Sequence, residues 1–149
     1  MERERATGAL LYETYTLGLL ADGCIKNEHY EQAFDFLDQA RLRLDDENSE
    51  RFYAAETYRL LGETYLRSGQ DLDQSERYLS KGLKVAREQK AKSLELKLCV
   101  SIYDLYELRQ NADKYRSQLG KIYESFSEGL DTTDLVKAKA RLKNPLPTR

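Results

Sequence analysis

Proline is almost absent from this chain. Only Pro145 and Pro147 occur, so the first 144 residues carry none. That suits a chain that is helical nearly throughout, because proline breaks helix interiors. Cysteine is scarce as well. Cys24 and Cys99 stand 75 residues apart inside expected helices. They read as buried free thiols, since a disulfide does not suit a cytosolic chain and a metal site lacks partner ligands. The one histidine, His29, falls in an expected turn with no serine or cysteine constellation beside it, so a general base has nothing to position it. No apolar run approaches the ~20 residues of a membrane span. The N-terminal MERERATGALLYETY lacks the basic-then-apolar plan of a signal peptide. The net charge of -2 gives no global pull toward nucleic acid or an anionic membrane. A cytoplasmic protein is the default expectation, without catalytic residues, cofactor or metal.

What is present is helical periodicity. Residues 8–27 form a first amphipathic helix with Leu10, Leu11, Leu17, Leu20, Ala21 and Cys24 on its apolar side. Gly8, Gly18 and Gly23 weaken it, unless one serves close packing. A turn at 27–29 leads to a helix over 30–44, with Tyr30, Ala33, Phe34, Leu37, Ala40 and Leu44 at spacings of three and four. The polar run Asp45–Glu50 connects to a second pair, 51–68 and 72–89. Gly69 is the expected C-cap there, and Asp71 or Asp73 the N-cap. A third pair covers 92–109 and 112–127, with Asn111 in its turn. A closing helix spans 132–143, with Asp131 as N-cap, Asp134 in the capping-box place and Gly129 ending the helix before it. Leu135, Ala138 and Leu142 are spaced to cover an open end. The tail at 145–149 is expected to be disordered.

The stretch ETYRLLGETYLRSG (Glu56–Gly69) defines a repeat. Leu60 and Leu61 supply bulk, Gly62 admits a neighbouring helix and Tyr65 packs one turn later. Ala21, Gly62 and Ser101 recur at about 40 residues, slightly longer than a tetratricopeptide unit. Ala33 aligns with Ser75, and Ala40 with Gly82. The expected fold is all-α: a TPR-like right-handed solenoid over residues 1–144, with three hairpins (8–44, 51–89, 92–127) and a C-terminal capping helix.

Ser93-Leu94-Glu95-Leu96, Ile122-Tyr123-x-x-Phe126 and Glu128-Gly129-x-Asp131-Thr132-x-Asp134-Leu135 resemble the C-terminal tetratricopeptide region of large bacterial signalling ATPases. Arg59-x-x-Gly62-Glu63 extends the resemblance into the second repeat. Leu108, Gln110 and Asn111 stand where family turns carry glycine near Arg or Lys, and Ser75 stands for the usual alanine. The resemblance implies a stack that senses or relays for a catalytic or DNA-binding domain. The chain itself holds no GxxxxGK[ST] phosphate loop. It is expected to be a C-terminal part or stand-alone relative of such a protein. Its first helix then offers an edge for upstream repeats.

A partner-binding concave face is expected from the first helices of the repeats: Tyr15, Asp22, Lys26, Glu56, Arg59, Glu63, Arg67, Glu95, Ile102, Leu105 and Tyr106. It mixes signs, unlike a carboxylate clamp of clustered cations, and Arg59 and Arg67 are expected to pair with Glu56 and Glu63. The partner is a protein, a peptide or an upstream domain. The alternative is a groove that senses a small ligand between Tyr15 and Tyr106. Asp45, Asp46, Glu47 and Glu50 lack the glycine and alternating oxygens of a calcium loop. Glu128 and Asp131 read as helix-end residues. The basic end (Lys137, Lys139, Arg141, Lys143, Arg149) lacks interleaved aromatics and reads as a solvated face.

Overall fold

A computed structural model of the chain describes residues 2–44 and 51–143, with side chains from Tyr12 onward. The acidic run Asp45–Glu50, the side chains of Leu10 and Leu11, and the tail with Pro145, Pro147 and Arg149 lie outside the described residues. Every regular element among the described residues is helical: α1 (Glu2–Lys26), α2 (Tyr30–Leu44), a 3-10 turn (Arg51–Tyr53), α3 (Ala54–Ser68), α4 (Leu72–Glu88), α5 (Lys92–Leu108), α6 (Asp113–Glu124) and α7 (Thr133–Lys143). No described helix is long and apolar enough to cross a membrane. The chain divides into two compact units, Met1–Gly82 and Leu83–Arg149.

In the first unit, α1 packs on α2 and both pack on α3. The centre is Ala21 and Ile25 of α1, Ala33 and Leu37 of α2, and Leu60 and Leu61 of α3. Arg43 of α2 also forks onto Glu13 of α1 through both terminal nitrogens. Helix α4 comes close to α3 at Gly62. A Cβ at Gly62 would lie 2.5 Å from Leu79 Cγ and 2.6 Å from its Cδ2. Ser75, fully buried, donates its hydroxyl to the Gly62 carbonyl at 2.8 Å. Serine thus does something alanine cannot: its hydroxyl ties α4 to the backbone of α3 at Gly62. Gly18 is different, since a Cβ there would make only ordinary contact with Leu60 at 3.8 Å.

In the second unit, α5 is buried almost all round, including Leu98, Cys99, Ser101 and Tyr103. Helices α6 and α7 pack on it and on each other, through Leu119, Ile122, Leu135 and Ala138. Polar contacts fasten α7. Arg141 grips Asp104 with two bonds of 2.9 and 3.0 Å. Arg116 donates to the Leu142 carbonyl at 3.3 Å and to the Tyr103 hydroxyl at 3.2 Å. Arg141 is therefore tied down rather than part of a solvated basic face.

Helix ends show where local chemistry was readable. Gly69 closes α3 at φ 67°, its N–H donating to Tyr65 O, and the Asp71 carboxylate accepts from the N–H groups of Asp73 and Gln74. Three other ends use the same left-handed cap without glycine: Glu28 (φ 61°), Lys90 (φ 56°) and Gln110 (φ 57°). Each shows the paired bonds of a Schellman motif. His29 N–H reaches Cys24 O, Ala91 N–H reaches Ala86 O and Asn111 N–H reaches Tyr106 O. Two expectations are corrected. Helix α6 stops at Glu124, its end held by Ser125 Oγ on Ile122 O, so Gly129 turns the chain beyond the helix instead of ending it. Helix α7 begins at Thr133, which puts Thr132 at the N-cap position. Asp134 is then too early for a capping box, and its carboxylate lies 3.8 Å from Lys97.

Two glycines separate packing from propensity. Gly62→Leu is expected to lower stability by about 1–3 kcal/mol through overpacking against Leu79. Gly23→Ala, where a Cβ meets nothing within 4 Å, is expected to raise it by about 1 kcal/mol. Urea titrations of both variants check the pair. Gln110→Gly, which relieves a left-handed non-glycine residue, is expected to add about 0.5–1 kcal/mol by the same measurement.

Candidate functional site

One face of α1 and one of α3 carry acids and bases one helical turn apart, acid first in each case, with Glu63 itself buried. Such pairs meet on a helix surface, and this order also suits the helix dipole. Asp22 meets Lys26 at 2.6 Å. Arg59 forks onto Glu56, its Nε at 2.8 Å and Nη2 at 2.7 Å from the two carboxylate oxygens. Arg67 Nε donates to Glu63 at 2.9 Å. The pairing expected for Arg59 and Arg67 is therefore present, and the six charges cancel.

Arg59 is the anchor of this row, with only 14% of its side chain exposed. Burial alone would push its guanidinium down. The hydrogen bonds to Glu56 and the charges of Glu56, Glu63 and Asp22 outweigh it and hold the group above its ordinary value. The three carboxylates thus share one buried cation. Arg67, by contrast, is 48% exposed, and Lys26 is more exposed still. Tyr15 stands at the edge of the row, its ring 5.5 Å from that of Tyr53.

In the second unit, Glu95 accepts from Arg87 at 2.9 Å. Tyr106 stacks on Tyr115 with centroids 4.0 Å apart, and the Arg109 guanidinium lies 5.6 Å from the Tyr106 centroid. Ile102 and Leu105 are buried in the core and offer no surface to a partner. The helical period alone did not separate them from the exposed side of α5, because α5 is buried on most of its circumference.

The sequence reading missed a ladder of rings on the other side of α3. Phe34 and Tyr65 lie 4.6 Å apart, Tyr65 and Tyr78 6.0 Å and nearly parallel, and Tyr58 and Tyr78 6.3 Å. The Lys81 ammonium sits 5.8 Å from the rings of both Tyr58 and Tyr78. The seven-residue spacing of Tyr58 and Tyr65 was the available signal. Neither cysteine forms a disulfide. Burial pushes the Cys99 thiol up to about 12, which keeps it protonated and unreactive. Cys24 is half-buried, its sulfur 3.9 Å from Gln32 Oε1. Among the described residues, no three His, Cys, Asp or Glu side chains are grouped to hold a metal. His29 is an exposed turn residue whose carbonyl accepts the first bond of α2. Glu128 and Asp131 are exposed.

No family model, curated protein or solved structure matches the chain.

The two arginines should separate by mutation. Arg59→Met strands carboxylates in a half-buried site and is expected to cost about 3 kcal/mol. Arg67→Met breaks an exposed pair and is expected to cost under about 1 kcal/mol. Chemical denaturation at low and high salt checks both.

Proposed function

We propose that this chain is a non-catalytic protein-interaction and regulatory module, built as a TPR-like right-handed solenoid of three helical hairpins and a closing helix. It plays the part that the C-terminal repeats play in bacterial signalling ATPases, as a fragment or stand-alone relative of one. Its partner is a protein or peptide, or an upstream domain of a longer parent, met in the cytoplasm. The repeat assignment draws support from the burial of Ala21, Gly62 and Ser101, and of Ala33 and Ser75, at equivalent places.

The observation that carries the functional reading is the row of three neutralised ion pairs on α1 and α3. Each side chain is already held by its neighbour, so a partner that docks there orders little. The mixed signs favour a segment that carries both charges over a purely acidic peptide. Lys26 and Arg67, the exposed cations of the row, are placed to meet its acidic groups.

Affinity capture with the wild-type chain and a Lys26→Glu/Arg67→Glu variant tests this. Arg59 is left intact because the fold needs it. The expected outcome is a protein held by the wild type and lost by the variant, with circular dichroism unchanged. Equal recovery by both removes this face from the proposal. A co-purifying small molecule without a protein supports the ligand-sensing alternative instead.

A further inference from the structure

A surface helix buries one stripe and turns charge toward water. Helix α1 does not. Its buried stripe is Thr14, Leu17, Ala21 and Ile25. Its opposite side is uncharged from Tyr12 through Thr16 and Leu19 to Gly23, and Lys26 follows one turn on. Tyr12 is 74% exposed and Leu19 55%, with Tyr15 (43%) and Leu20 (47%) along the two borders. Leu20 had been expected in the core. Beyond Tyr15 the apolar surface continues through Tyr53 to Phe52, which is 68% exposed and 5.1 Å from Tyr53.

We propose that this outer face of α1 is a homotypic docking surface, on which a second copy of the chain lays its own α1 antiparallel. The stripe is complementary to itself in one register. Two-fold pairing about Leu17 and Gly18 sets Tyr12 against Gly23 of the other copy, Tyr15 against Leu20 and Thr16 against Leu19. The largest exposed ring therefore meets the one position without a side chain, where a Cβ would touch nothing within 4 Å. An isologous contact needs this kind of self-complementarity, and a two-fold axis makes every such pair occur twice. Charge does not oppose it. Glu13 approaches Asp22 in this register, but Glu13 is already paired with Arg43 and Asp22 with Lys26.

The area suffices. An aromatic side chain buries about 150–250 Å², so the three exposed rings and two leucines leave roughly 500 Å² of apolar surface per copy. Complete burial on two copies would remove about 1,000 Å² of apolar surface before any polar rim is counted, the lower bound for a biological interface.

Light scattering on the eluting chain reads the result directly. The wild type is expected at twice the 17.3 kDa chain mass. Leu19→Glu, which puts a charge in the stripe, and Gly23→Leu, which fills the hole without touching the chain's own core, are both expected at the single-chain mass with unchanged helicity. A benzoylphenylalanine photocrosslinker at position 12, in a mixture of isotopically light and heavy chains, is expected to join the other copy around Gly23. A wild type that stays single-chain at all concentrations overturns the proposal, whatever else α1 binds. So does a dimer that both substitutions leave intact, or crosslinks that fall away from α1.

Discussion

Gly62 lacks a side chain because Leu79 fills the space one would need. That single constraint sets the distance between α3 and α4. A glycine inside a helix costs about 1 kcal/mol relative to alanine. Full burial of Leu79 returns about 1.5–3 kcal/mol, and the Ser75–Gly62 bond adds about 0.5–1.5 kcal/mol. The two gains depend on the same close approach, so neither survives a larger residue at 62. The consequences run outward along α3. Leu60 and Leu61, just before Gly62 in sequence, are held against Ala21, Ile25, Ala33 and Leu37. Tyr58 and Tyr65, on the next faces, are brought level with Tyr78 of α4.

The charged row on α1 and α3 follows from that packing. Arg59 and Glu63 flank Gly62 closely enough in sequence that helix position decides their burial. Arg59 is drawn down toward the core, where its fork onto Glu56 and the charges of Glu63 and Asp22 offset the burial of its guanidinium. One face of α3 therefore acts as a fixed, nearly neutral polar surface, while its opposite edge is a ladder of rings capped by Lys81. A partner that recognises the first must match alternating signs in position, since there is no net field to steer it from a distance.

Much of this was legible in the sequence, and the failures have physical causes. Helix spans followed from apolar spacing to within a few residues for most elements, because absent proline and regular Leu, Ala and Tyr positions leave little else for the chain to do. The acid–base pairs followed from three- and four-residue spacing. Gly69, and Asp71 as one of two candidates with Asp73, were readable as caps because their side chains, or lack of one, perform the capping. Glu28, Lys90 and Gln110 were not, since there the backbone bonds of the motif impose a left-handed residue that the side chain itself disfavours. Gly129 misled for the converse reason: it does take a left-handed conformation, but in a turn after the helix has already ended. Leu20 misled because periodicity cannot tell which of two apolar faces meets the core.

That last ambiguity bears on how α1 is stabilised. Three glycines lie within it, at 8, 18 and 23, each costing about 1 kcal/mol of helix propensity. A helix so composed relies on what it packs against. On its inner side α2 and α3 supply that contact. On its outer side no contact among the described residues covers Tyr12 and Leu19, which are 74% and 55% exposed. Whatever binds the outer stripe in the folded state but not in the unfolded one stabilises the fold by mass action. A second copy would do so most for the glycine-weakened helix itself. The same residues that make α1 a poor free-standing helix thus make it responsive to association: Gly23 removes propensity and at the same time opens the place where another side chain fits.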